Sequence, residues 1–137
     1  MADLSITAAN VKLGSTDTRT GVFTAGETIT QGQPVYLSSS DSKYYQCDAN
    51  DGAAKAEAKG IALTPASADG AFVLVSDGLL NLGATLTVGQ VYVVSTTKGG
   101  IAPVGDLSTG HYTTILGVAT TAALIDLNIQ ISGVVKP

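Results

Sequence analysis

Groups able to do chemistry are few in this chain, and their spacing decides most of the case. His111 is the only histidine, so a His-rich metal site is impossible and any Ser-His-Asp relay would have to pass through it. It stands in the run STGHY at residues 108–112, which predicts an exposed loop residue. Cys47 is the only cysteine. It has an acid, Asp48, beside it and no basic neighbour to stabilise a thiolate, so the reading is a partly buried strand residue. A lone cysteine also excludes an intramolecular disulfide. Residues 48–52 (DANDG) look like a calcium loop, but the ligand spacing is one residue short and Glu57 does not restore the register. A turn or helix cap is expected there. Asp41, Asp69, Asp77 and Asp106 each stand beside Ser or Gly, as turn residues do, rather than as paired catalytic carboxylates. Phosphate-loop and dinucleotide glycine motifs are missing. The expectation is a protein with no catalytic residues, no cofactor and no metal.

Lys12, Arg19, Lys43, Lys55, Lys59, Lys98 and Lys136 are the basic residues, and they are scattered through a chain of net charge −4. Phosphate binding needs such residues clustered on one face, so no nucleic-acid partner is expected. Residues 78–97 and 107–125 lack charge but are broken by Gly, Asn, Gln, His and Thr, so neither reads as a membrane span. Residues 1–6 carry no basic segment followed by an apolar one, and synthesis in the cytoplasm is expected. Tyr44 and Tyr45 could form a platform for stacking a carbohydrate, although adjacent strand residues point to opposite faces and only one of them could be inward.

The elements that must position these groups are strands. The apolar residues are mainly Ala, Val, Leu and Ile, there is no Trp, and 16 glycines punctuate the chain. Small and β-branched side chains suit pleated surfaces and frequent turns, which predicts an all-β fold. Comparison of the chain with itself shows a repeat. GETITQGQ at residues 26–33 matches GATLTVGQ at 83–90, and each is followed by Val-Tyr, with Pro34 as an extra residue in the first copy. Tyr36 and Tyr92 thereby fall on equivalent positions and read as structural. GIALT at 60–64 matches GVATT at 117–121 at the same spacing, and residues 72–78 match 127–133 in pattern. Glycines 60 and 117 stand where a strand begins, which predicts close backbone approach or positive φ. The expected architecture is a small barrel or sandwich of short antiparallel strands from two pseudo-repeated halves, about 22–78 and 79–133, within a β domain spanning 22–137. The Ala-rich residues 48–59 could hold one short helix, with Asp51 as N-cap. Residues 1–21 lie outside the repeat. Their Leu4, Ile6, Val11 and Leu13 read as an arm that contacts a neighbouring subunit or another part of the fold.

Taken together, AGETITQGQPVYL (25–37), GIALT (60–64), VGQVY (88–92), GIAP (100–103) and LGVA (116–119) resemble the capsid cement, or decoration, proteins of tailed bacteriophages. The opening MADLSITAANV is similar to that of many small phage head proteins. The resemblance covers roughly residues 1–131. It implies a β-rich protein on the outer surface of the assembled head, locking neighbouring major capsid proteins together, and a homotrimer as its own oligomer. A low charge content suits a surface partly buried against partners. The alternative is a receptor- or glycan-binding head-fibre or tail accessory module that uses Tyr44 or Tyr45.

Overall fold

The computed structural model describes residues 3–14 and 18–137; of the polar stretch 14–21, residues 15–17 lie outside the described residues. Among the described residues, ten strands form one continuous, curled antiparallel sheet. They are β1 (Val11–Leu13), β2 (Arg19–Thr24), β3 (Pro34–Leu37), β4 (Tyr44–Gln46), β5 (Gly60–Ala62), β6 (Ala71–Leu82), β7 (Val91–Val94), β8 (Ile101–Pro103), β9 (Tyr112–Ala119) and β10 (Leu124–Val135). The all-β class and the two related halves expected from the sequence are present. Among the described residues, no helix is long and apolar enough to cross a membrane.

The main path through the sheet runs β4-β3-β5-β6-β10-β9-β7-β8. It is a palindrome: β3 to β6 adopt the order that β7 to β10 adopt, and the two sets meet where β6 pairs with β10. Hydrogen bonds repeat with the topology. Gly32 N–H donates to Ala62 O and Gly89 N–H to Ala119 O, both at 2.8 Å. Ala62 N–H donates to Gln33 O at 2.9 Å, as Ala119 N–H does to Gln90 O at 3.0 Å. Gly32 and Gly89 sit at φ +89° and +82°, the left-handed region that a turn into β3 or β7 requires here and that favours glycine. At Gly60 and Gly117 the requirement is space. A Cβ on Gly60 would overlap the carbonyl oxygen of Val75, and one on Gly117 that of Asp126. Of the two reasons expected for these glycines, close approach is the one that applies.

Strand register corrects the sequence alignment in two places. Pro34 pairs with Ile61 and Val35 with Gly60, while Val91 pairs with Val118 and Tyr92 with Gly117. Pro34 therefore occupies the place of Val91, and Val35 that of Tyr92, with no extra residue. Likewise Val75, opposite Ile61, is the counterpart of Asp126, opposite Val118, rather than of Gln130. The connection between β5 and β6 (residues 63–70) is longer than that between β9 and β10 (120–123). Matching by residue type slid across that difference.

β6 is the spine shared by both halves. Val75 lies between Thr20 and Ile61, Asp77 between Arg19 and Asn128, and Leu80 between Leu13 and Ile125. β1 and β2 thus follow one another along one flank of β6, opposite β5 and β10. The larger core cluster includes Val11, Ile61, Val75, Leu80, Leu82, Tyr92, Leu116, Ile125 and Leu127. A smaller one gathers Ala25, Ile29, Val35, Tyr44, Ala62, Phe72 and Leu74. The Ala-rich segment yields only a 3-10 turn at Ala54–Ala56. Its backbone is engaged elsewhere, with Asp48 N–H donating to Lys55 O and Lys59 N–H to Val35 O. So short a segment cannot offset helix nucleation against such competition. Asp51 pairs with Lys55 at 2.6 Å instead of capping a helix.

Candidate functional site

The N-terminal segment is tied into its own chain. In the first half, Gly26 N–H donates to Tyr44 O at 2.8 Å, closing β4 against the chain that follows β2. At the equivalent seam of the second half the Ile101 carbonyl accepts from Leu4 N–H at 2.8 Å, and Thr7 N–H donates to Gly83 O at 2.9 Å. Ser95 Oγ donates to the Asp3 carboxylate at 2.6 Å. Leu4 and Ile6 pack, half-buried, against the larger core, and Val11 lies within it. Leu13 is exposed. Of the four apolar arm residues, Leu13 is the one whose side chain faces outward on the isolated chain.

Leu13 belongs to an edge. β1 and β2 pair with β6 on one side and, among the described residues, with no strand on the other. From Thr20 to Thr24 the edge strand carries no charge. Val22 is 69 % exposed, and Phe23 is exposed beside it. An unpaired strand edge of this kind presents free backbone donors and acceptors to another chain. A second apolar exposure lies on β10, with Ile131, Val134 and Val135.

The tyrosines separate as the alternation of strand faces requires. Tyr44 is 8 % exposed and packs in the smaller core, edge-on to Phe72 at 5.8 Å between centroids and 4.8 Å from Phe23. It is not a surface-binding aromatic. Tyr45 lies on the other face, across from its register partner Tyr36, with the rings 6.0 Å apart and inclined by 30°. The corrected register matters here. Tyr92 is the core residue, its hydroxyl accepting from Thr87 N–H at 3.0 Å, whereas Tyr36 is half-buried at a cleft. The sequence comparison set Tyr36 aside by equating it with Tyr92; the constant spacing of Gly60 and Gly117, carried back without a gap, identifies it.

Tyr36 and Tyr45 line a cleft of about 290 Å³ together with Glu27, Gln46, Lys55 and Lys98. Asp48 and Asp51 complete the lining. Lys98 Nζ pairs with Glu27 Oε1 at 2.7 Å, and Glu27 Oε2 accepts from Gln46 N–H at 2.8 Å. The Tyr45 hydroxyl donates to the Asp41 carboxylate. That bond, first of several causes, pushes the phenol up to about 12, so the ring stays protonated and fixed through the neutral range. It also holds the Asp41 carboxyl below the usual carboxylate range.

The other reactive groups occupy structural places. Cys47 is fully buried, its N–H donating to Pro34 O at 2.9 Å, and burial first, then Asp48, pushes its thiol up. His111 is half-buried rather than exposed, with Nδ1 accepting from Ser108 N–H at 3.0 Å in a turn. Asp48 accepts from Asn50 N–H at 2.9 Å, also in a turn. Among the described residues no group of three His, Cys, Asp or Glu side chains is placed to hold a metal ion. Lys43 pairs with Asp69 and Arg19 with Asp77 at 3.9 Å, so these cations are answered locally.

Against known proteins, the model of one family, described as phage cement protein, matches residues 4–76. No curated protein matches the chain.

Proposed function

The chain belongs to the phage cement protein family, and from that premise we propose that it binds the outer surface of the assembled head and stabilises contacts between major capsid proteins. Membership implies a structural, non-enzymatic role in association with the phage capsid. The observation that carries the finer reading is the unpaired edge of β1 and β2, with Leu13, Val22 and Phe23 exposed along it. A strand of a capsid protein laid along Thr20–Thr24 would extend the sheet, main chain giving affinity and alternate side chains giving register. Repetition over a symmetric shell multiplies a modest contact into a large gain in particle stability. Partner chains are then the major capsid protein and two further copies of this chain in a homotrimer.

Uptake by heads lacking the protein tests this. Wild type is expected to bind them and to raise the temperature at which they rupture. Val22→Lys places a charge on the edge, where such residues block strand addition. It is expected to abolish uptake while leaving the melting of the isolated chain unchanged, because Val22 is 69 % exposed. Heads that ignore wild type, or that take up Val22→Lys equally, would refute the assignment; sedimentation of the free protein tests the trimer.

A further inference from the structure

We propose that the cleft lined by Tyr36 and Tyr45 binds a neutral saccharide, a binding activity separate from cementing. Tyr36 in β3 and Tyr45 in β4 are cross-strand partners on one face, and their rings, 6.0 Å between centroids and inclined by 30°, both line the cleft. Each ring is carried by a paired strand, and Tyr45 is also anchored at its hydroxyl by Asp41. Flat apolar faces with a few fixed polar groups at the rim are what a pyranose ring needs, since one face of the sugar is C–H and its edge is hydroxyl. A volume of about 290 Å³ suits a small ligand rather than a polymer segment.

The charges of the rim select the class. Lys98 is held by Glu27 at 2.7 Å and Lys55 by Asp51 at 2.6 Å. Glu27 accepts a second bond from Gln46 N–H at 2.8 Å. An anion would have to take a lysine from its acid, and Asp48, the lining carboxylate not paired with a lysine, is already engaged by Asn50 N–H at 2.9 Å. Each ammonium still has protons to donate, and each carboxylate still has lone pairs to offer. A polyhydroxylated neutral ligand uses these remaining positions and leaves both ion pairs intact. The same groups disfavour nucleotides and other phosphates, for which no cation is unpaired at the rim.

A glycan array bearing neutral and acidic oligosaccharides, probed with the full chain, is the first measurement. Saturation-transfer NMR on the neutral oligosaccharides that bind is the second. Binding of a neutral class is expected, with the Tyr36 and Tyr45 ring protons shifting on titration. Tyr36→Ala is expected to weaken it about tenfold, the loss of one aromatic contact worth roughly 1.4 kcal/mol. An array on which only acidic sugars bind, or none, would overturn the proposal. So would a folded Tyr36→Ala that binds as wild type does. Should that variant fail to fold, the ring-proton shifts of the wild type decide, and their absence overturns it. Head uptake by folded Tyr36→Ala at the wild-type level separates this site from the cementing surface, so the two readings can fail independently.

Discussion

Substituting the paired glycines tests the pseudo-symmetry where it is physically most demanding. A Cβ on Gly60 would overlap the Val75 carbonyl oxygen and crowd the Leu74 side chain; one on Gly117 would overlap the Asp126 carbonyl oxygen. Alanine at Gly60 must push β5 from the spine β6, and alanine at Gly117 must push β9 from β10. Overpacking of this kind costs about 1–3 kcal/mol. A displaced ladder also weakens at least one neighbouring bond, such as Lys59 N–H to Val35 O, adding about 1 kcal/mol. For a chain of this size, a loss of about 2–4 kcal/mol lowers the melting temperature by roughly 6–12 °C. Gly105 is the control: a Cβ there meets nothing within 4 Å and its φ is not positive, so Gly105→Ala should leave the melt within about 2 °C of wild type. The assay is thermal unfolding followed by circular dichroism on the three variants side by side. Wild-type melting by Gly60→Ala or Gly117→Ala would refute the close approach of strands. A large effect in one and none in the other would refute the equivalence of the halves.

Three further outcomes are expected. Val11→Asp puts an unpaired charge into the larger core and should lower the melting temperature by roughly 10 °C or more; a neutral effect would mean that the segment is a detachable arm. Asp41 is held low by the Tyr45 hydroxyl first and by Lys43 N–H second, so its stabilising share is complete above the unfolded carboxylate range and lost as pH falls through its lowered folded value. Tyr45→Phe should move the Asp41 titration, followed by NMR, upward toward the ordinary carboxylate range; an unmoved titration would sink the assignment of cause. Cys47, buried and with its thiol pushed up, should resist thiol reagents at pH 8 until denaturant unfolds the chain. Rapid labelling in native buffer would contradict its placement.

Much of this was legible in the residues. Composition and glycine spacing led to strands, and the repeat led to two related halves, because a turn at positive φ or a close strand approach leaves a glycine at a fixed position. What the residues hid was register. Val-Tyr recurs in both halves, but the tyrosine faces the core in one and a cleft in the other, since backbone pairing places Val35, not Tyr36, opposite Gly60. Identity of residue type outweighed continuity of spacing in the sequence comparison, and so removed Tyr36 from view. Tyr44 and Tyr45 illustrate the opposite case. Alternation required their separation, while which one turned inward depended on Phe23 and Phe72, far away in sequence. The fate of the arm was equally non-local: its partners, Ser95, Ile101 and Gly83, carry no signal near residue 4.

The arm also explains why two similar halves are not interchangeable. The first half closes its seam alone, with Gly26 against Tyr44. The second uses Leu4 for the same carbonyl position, and that insertion fixes the N-terminal segment on the second half and leads it along β6 as β1. The chain then continues past Thr18 into β2, on the same flank, so the end of the arm and β2 lie along one free edge of the sheet. On the proposed reading of that edge, the arm is a positioning device. It holds Leu13 and β2 in line along the spine, and a capsid strand added at that edge would bind a surface already ordered before contact. Loosening Leu4 or Thr7 should therefore weaken head uptake through the edge it aligns, even though neither residue lies on that edge.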